Sequence, residues 1–140
     1  MASTPTFGRA VAGGAVGTVA MTAMMYGVAP MMGLNMDIAA MLGSMLGGSW
    51  LAGMAMHGLL GVVVFPAAFT FGVRGLLPGS ELMRGLAWGV VLWLMAQVVV
   101  MPMMGGGLFS SAMGGMMAVM GSLAGHVLYG GLFGMVAGRR

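Results

Sequence analysis

Two histidines, a glutamine, a threonine and a methionine are the side chains of this sequence best suited to chemistry in an apolar setting. His57, Gln97 and His126 each lie within a long uncharged segment, and Thr22 and Met25 lie in another. Because a helix rises about 1.5 Å per residue, their distances from the segment ends place them at a similar depth. Polar side chains inside a membrane usually face the protein interior and are functional candidates. We therefore expect these five residues to form one polar layer.

Three hypotheses account for this polar layer. In the first, the imidazoles and the amide are structural and hydrogen-bond across helices, with Gln97 the expected partner of the histidines. In the second, His57 and His126 are the axial ligands of one haem b, held by inward-facing histidines of a four-helix bundle. In the third, Met25, His57 and His126 bind Cu(I), a soft ion that accepts thioether and imidazole ligands. The sequence leaves all three open.

Methionine is the most unusual feature of the composition. The chain contains 21 methionines, and they concentrate in the segments 30–48 and 102–118. Their M-x-x-x-M spacings occur little more often than this frequency predicts by chance. Methionine also fills irregular apolar cores because its side chain is flexible. The spacing therefore does not distinguish copper ligands from core packing.

No pattern typical of an enzyme is found in the sequence. Asp37 and Glu81 are the two acidic residues, and they are predicted to lie on opposite sides of a membrane, where they cannot form a carboxylate pair. The absence of cysteine excludes a thiolate ligand or nucleophile. Glycine patterns of nucleotide-binding loops do not occur in a strand–helix context. We expect a protein that is not itself an enzyme, although it could be a redox subunit of one.

The elements that must position these residues are membrane helices. Hydrophobic residues make up 60% of the 140-residue chain and charged residues 5%, whereas soluble domains carry roughly 25% charged residues. This composition excludes a soluble enzyme and a nucleic-acid-binding module. Apolar runs of membrane-spanning length predict a single all-α membrane domain, 1–140, with four transmembrane helices. These helices are expected at about 10–29, 50–72, 85–104 and 119–138.

The placement of arginine predicts the orientation of these helices. Four crossings put all five arginines on one side, which the positive-inside rule assigns to the cytoplasm. These residues are Arg9, Arg74, Arg84, Arg139 and Arg140. Both termini are then cytoplasmic, and the expected location is a bacterial inner membrane.

Two segments on the predicted outer side, 30–48 and 102–118, are too apolar for ordinary loops. Short interfacial or re-entrant helices are expected there, packed on protein because backbone at that depth needs hydrogen-bond partners. Asn35 or Asp37 is expected to cap the first of these helices.

An internal repeat relates the two halves of the chain. Pro30-Met31-Met32-Gly33 recurs as Pro102-Met103-Met104-Gly105 at an offset of 72, and His57-x-x-x-Gly61 recurs as His126-x-x-x-Gly130 at an offset of 69. Because each half crosses twice, the halves, about 10–72 and 85–138, are predicted to be parallel two-helix repeats about an axis along the membrane normal.

Glycines spaced G-x-x-x-G predict close helix packing. They are Gly13/Gly17, Gly85/Gly89, Gly121/Gly125 and Gly130/Gly134/Gly138. The fourth helix carries two such faces, which predicts one neighbour within the chain and one outside it.

A family resemblance is carried by five stretches of the chain: GTVAMTAMM, PMMGLNMDIAAMLG, WLAGMAMHGLLG, LPGSELMRGL and VVMPMMGGGLFS. They resemble a family of small, uncharacterised four-helix bacterial membrane proteins. The resemblance covers most of residues 13–134. It implies the four-helix topology and supplies no activity and no site residues.

The residues favour a non-catalytic accessory or structural subunit of a larger membrane complex. The expected partners are membrane lipids and either other membrane subunits or further copies of the chain, and no nucleic acid. A haem b electron carrier and a Met/His copper-handling protein are the two alternative functions.

Overall fold

The computed structural model describes residues 5–139, and within that range all regular secondary structure is helical. Its helices are α1 (Phe7–Met32), α2 (Ile38–Ser44), α3 (Trp50–Leu76), α4 (Glu81–Met103) and α5 (Gly115–Ala137). In this part of the chain four of them, all except α2, are long and apolar enough to cross a membrane. The predicted all-α class with four membrane helices is therefore confirmed.

Each long helix extends beyond its predicted apolar run at one end or both. The side chains of Thr6 and Ser80 accept backbone N–H bonds and start α1 and α4 at Phe7 and Glu81, as capping residues do. Helix α5 begins at Gly115, four residues before the predicted 119. His126 therefore lies 11 residues into α5 rather than about seven, whereas His57 lies seven into α3 as expected.

Pro30, Pro66 and Pro102 each follow a widened helical turn. A proline has no N–H, and its ring crowds the carbonyl four residues before it. The preceding turn is π-helical in each case, closed by a bond between residues five apart. These turns are Met24–Val28, Leu60–Val64 and Ala96–Val100. Helix α3 thus continues through Pro66 without a break.

The first helix of each repeat half ends in the same backbone conformation. Its π turns, Met24–Val28 and Ala96–Val100, are 72 residues apart, which is the offset of the Pro-Met-Met-Gly motif. Gly33 and Gly105 then adopt left-handed conformations, with φ of 76° and 79°, which favour glycine.

The halves differ after these glycines. Helix α2 follows in the first half, and the carboxylate of Asp37, rather than Asn35, caps it. In the second half the corresponding segment contains a single 3-10 turn, Leu108–Ser110. The second short helix expected there is reduced to this 3-10 turn, because the segment carries left-handed residues from Gly105 to Gly115 that interrupt a longer helix.

The described arginines lie at one end of the bundle, which we call the arginine end. There the ring of Phe7 in α1 lies 5.4 Å from that of Phe71 in α3, and Glu81 of α4 packs on Gly138 after α5. The arginines at this end are Arg9, Arg74, Arg84 and Arg139. Glu81 accepts from Arg74 at 2.5 Å and from Arg84 at 2.8 Å, which closes the turn between α3 and α4. The opposite end, which carries α2 and Asp37, is called the far end.

Helix α5 is central and packs on both α1 and α4 through glycines. A Cβ on Gly134 would lie 2.5 Å from the Glu81 carbonyl oxygen, and one on Gly13 would lie 2.7 Å from that of Phe133. Toward the far end, Gly121 and Gly125 meet side chains of the segment Met21–Leu34. Both glycine faces of α5 are therefore occupied within the chain, and neither requires an outside neighbour.

The two ends of the bundle are packed differently. Near the arginine end, aromatic rings fill the space between the helices, and Phe69 meets Phe133 edge to face at 4.8 Å. Trp88 and Tyr129 complete this buried cluster. Toward the far end no comparable cluster fills the described part of the bundle, and the helices surround a partly open cavity instead.

Candidate functional site

A cavity of about 550 Å³ occupies the half of the bundle nearer the far end. It begins beside Tyr129 and Leu92, where the aromatic cluster stops, and its rim toward the far end includes Met32, Met104 and Met116. All four long helices and α2 contribute to its wall. The π turns of α1, α3 and α4 all lie at its level, so the widened backbone helps to create the space.

The cavity brings together most of the predicted polar layer. Met25, His57, Gln97 and His126 all line it. Thr22 is not part of the cavity lining, but its hydroxyl is hydrogen-bonded to His57. The two histidines therefore line one space, and Gln97 bonds neither of them.

The hydrogen bonds of Thr22 define the tautomer of His57. The Thr22 hydroxyl donates its one proton to the Thr18 carbonyl at 2.7 Å. Its oxygen, 3.1 Å from His57 Nε2, must therefore accept a bond from that nitrogen. Nδ1 is left as the nitrogen with a free lone pair.

His126 is held in the opposite tautomer. Its Nδ1 lies 2.7 Å from the carbonyl oxygen of Ser122, one turn earlier in α5. A carbonyl can only accept, so Nδ1 carries the proton and Nε2 keeps its lone pair. This arrangement, a backbone carbonyl behind an imidazole, is the one that commonly orients metal-ligating histidines.

Gln97 is bonded to the loop rather than to a histidine, which corrects the expected pairing. Its Oε1 accepts from the Ser110 hydroxyl at 2.8 Å, and both residues are fully buried. Phe109 and Ser110 have φ of 49° and 53°, unusual for residues other than glycine. The loop conformation, rather than helix spacing, brings this partner to Gln97.

Methionine dominates the cavity wall. Twelve of the 21 methionines of the chain line it. They are Met21, Met24, Met25, Met32, Met36, Met41, Met95, Met101, Met104, Met116, Met117 and Met120. The methyl carbons of Met24 and Met21 lie 3.2 and 3.4 Å from the position of a Cβ on Gly125, the residue preceding His126. The prediction singled out Met25 and missed these two, although their spacing along α1 signals a shared face.

Charged groups are absent from the cavity wall formed by residues 5–139. The described arginines lie at the other end of the bundle. A haem b would bring two propionates, and burying these anions without a cationic partner is costly. His57 also presents Nδ1 rather than Nε2, whereas Nε2 is the less hindered nitrogen for an axial ligand. The site thus fits a soft cation better than a haem.

Asp37 is the one acid of the described far end, and its carboxylate is fully engaged. It accepts from the Tyr26 hydroxyl at 2.5 Å, from Trp50 Nε1 at 3.1 Å and from the Ala40 N–H at 3.0 Å. Desolvation raises the pKa of the Asp37 carboxyl, but these hydrogen bonds outweigh it, and the pKa lies below its ordinary value. The carboxylate therefore joins α1, α2 and α3 and is not a free ligand.

These features define a multi-pass helical membrane protein with an intramembrane cavity lined by thioethers and two imidazoles. The chain belongs to DUF6789, a family of unknown function, whose match covers residues 5–140. Neither a curated protein nor a solved structure shows significant similarity to it.

Proposed function

We propose that this protein binds Cu(I) inside the membrane, with His57 and His126 as nitrogen ligands and cavity methionines as sulfur ligands. The observation that supports it most directly is the gathering of twelve thioethers and two imidazoles around one cavity. The candidate sulfur ligands include Met21 and Met24, whose side chains contact Gly125 next to His126, and Met25, which also lines the cavity.

The chemistry of the donors matches a soft monovalent ion. Thioether sulfur and neutral imidazole favour Cu(I), whereas Mg²⁺, Ca²⁺ and Mn²⁺ favour carboxylates and other oxygens. The lining contributes no carboxylate among the described residues. A neutral ligand set leaves the site with a single positive charge, and polarisable sulfur atoms around it offset part of the cost of burial.

The opposite tautomers of the two histidines support the same function. Each imidazole has one nitrogen held by a protein oxygen and the other free. Hydrogen bonds of this kind orient the ring and raise its basicity as a ligand.

Anaerobic titration with Cu(I) in competition with a chromophoric chelator tests the proposal. We expect the purified protein to bind one Cu(I) per chain, with both nitrogen and sulfur neighbours in its X-ray absorption spectrum. The double variant His57→Gln/His126→Gln should lose Cu(I) binding but keep its thermal unfolding temperature, because an amide preserves hydrogen bonding and is a poor Cu(I) ligand.

The matched control is Met83→Leu/Met135→Leu, which changes two exposed methionines away from the cavity. It should bind like the wild type. Wild-type affinity in the glutamine variant would refute the Cu(I) site. Red protein with a Soret band, purified from haem-replete cells, would favour the haem b hypothesis instead.

We also infer that the arginine end faces the cytoplasm of a bacterial inner membrane, since arginine-bearing loops are retained on that side. The far end and the rim of the cavity would then face outward. Membership of a larger complex stays a prediction, and the glycine faces that motivated it are accounted for within the chain.

A further inference from the structure

We propose that the two Pro-Met-Met-Gly turns are ports that pass Cu(I) between the far-end surface and the cavity. This inference rests on the proposed Cu(I) site and adds the route by which the ion reaches it. The turns are Pro30–Gly33 at the end of α1 and Pro102–Gly105 at the end of α4.

Both turns have the same backbone geometry. Gly33 N–H bonds the Pro30 carbonyl at 3.0 Å, and Gly105 N–H bonds the Pro102 carbonyl at 3.1 Å. The next amides, of Leu34 and Gly106, each return to the carbonyl five residues earlier, at 2.9 and 2.8 Å. Each pair of methionines is therefore held on a defined turn rather than on a loose loop.

Each turn carries one methionine that lines the cavity and one that does not. Met32 and Met104 line the cavity, and Met32 is itself 61% exposed. Met31 and Met103, the residues directly before them, do not line it and are 86% and 66% exposed. Adjacent thioethers thus lead from the surface to the cavity at both turns.

Apart from thioethers, the far end offers few ligands for a metal ion along the described chain. Its one carboxylate, Asp37, is engaged by Tyr26, Trp50 and the α2 backbone. The two described histidines lie within the cavity wall rather than on the surface. A soft cation arriving at this end would therefore meet thioethers, among which those of Met31, Met116 and Met103 are 86%, 73% and 66% exposed.

The transfer is a sequence of ligand exchanges without electron transfer. Cu(I) leaves its carrier for Met31 or Met103, exchanges that sulfur for Met32 or Met104, and then binds the imidazoles and deeper thioethers. The ion keeps its charge throughout, and no proton is released because the free nitrogens of both histidines are already unprotonated.

Stopped-flow transfer from a Cu(I)–bicinchoninate complex to the detergent-solubilised full chain tests this route. In Met31→Leu/Met103→Leu, the loading rate should fall about tenfold, with stoichiometry and equilibrium affinity unchanged. Release to excess chelator should slow by the same factor, because entry and exit share one route. Leucine matches methionine in volume, and thermal unfolding checks that the fold is intact. Met83→Leu/Met135→Leu is the control and should load at the wild-type rate.

Two outcomes would overturn the port proposal. One is a wild-type loading rate in Met31→Leu/Met103→Leu. The other is a loss of equilibrium affinity in that variant, which would make these methionines resident ligands. Failure of the wild-type protein to take up Cu(I) at all would instead refute the proposed function, so the two failures are distinguishable.

Discussion

The pairing of Thr22 with His57 shows how a single hydroxyl controls an intramembrane imidazole. One proton donated to the Thr18 carbonyl leaves the Thr22 oxygen as an acceptor only. The structural and the metal-binding hypotheses both require hydrogen bonds that orient the imidazoles. The structure supplies such a partner for each imidazole. Those partners are Thr22 and Ser122 rather than the expected Gln97.

Thr22→Val should therefore weaken both the fold and the site. The change removes the acceptor of His57 Nε2 without altering the size of the side chain. We expect a loss of about 0.5–1.5 kcal/mol in unfolding free energy and a drop of about 10–100-fold in Cu(I) affinity. Thermal unfolding and chelator competition measure the two effects.

Thr18→Val is the matched control for Thr22→Val. The Thr18 hydroxyl is buried and has no hydrogen-bond partner among the described residues. Valine should therefore be neutral or stabilising at this position. Equal effects of the two substitutions would show that the hydroxyl of Thr22 has no particular role.

At the scale of the helices, glycine determines where backbones can touch. Gly130 faces the α4 backbone, with Gly89 Cα only 2.9 Å from where its Cβ would stand. Gly125 faces the flexible ends of Met21 and Met24, which border the cavity. Two glycines on one helix therefore have different tolerance to substitution.

Gly130→Leu should destabilise the protein by at least the 1–3 kcal/mol typical of overpacking, since helix backbones must separate. Gly125→Leu should cost less, because the methionine side chains can move into the cavity. Thermal unfolding in detergent, compared with the wild type, measures both. A smaller effect at Gly130 than at Gly125 would contradict the observed packing of α5 on α4.

The Asp37 carboxylate gives the far-end helices a pH-dependent connection. Its folded-state pKa lies below the ordinary value, which is about 3.9 in an unfolded chain. The stabilisation of the folded protein by this carboxylate is therefore fully present above about pH 4. It is lost as the pH falls through the folded-state pKa of Asp37. Asp37→Asn should lower the unfolding temperature at neutral pH and flatten its dependence on pH between about 7 and 3.

Asn35→Ala is the control for Asp37→Asn, because Asp37 rather than Asn35 caps α2. Its unfolding temperature should follow that of the wild type at every pH. The Asp37 connection would be disproved by a wild-type acid profile in Asp37→Asn.

The whole molecule is asymmetric along its long axis, with an aromatic core at the arginine end and a cavity toward the far end. The inferred orientation is testable because the sequence contains no cysteine. Cysteine at Ser80 should react with an impermeant maleimide only after inner membranes are opened, whereas cysteine at Ser44 should react in intact cells. The reverse labelling pattern would show that the orientation is opposite to the inferred one, with the cavity rim facing the cytoplasm.

The sequence by itself determined the helical class, the four membrane helices and the common end of the arginines. These properties follow from hydropathy and charge, which are read along the chain and do not depend on how helices rotate. The matching ends of α1 and α4 were also predictable, because the Pro-Met-Met-Gly motif recurs at the offset of 72 that separates the two π turns.

Only the tertiary structure decided which polar atoms pair and where the methionines gather. In a chain that is apolar on every face, periodicity does not specify the rotation of a helix about its axis. Gln97 therefore gave no signal of its bond to Ser110, which depends on the left-handed path of the loop. The cavity also depends on the tertiary structure. The π turns that precede the prolines widen the helices at the level of the cavity, and glycine contacts bring the helix backbones together at another level.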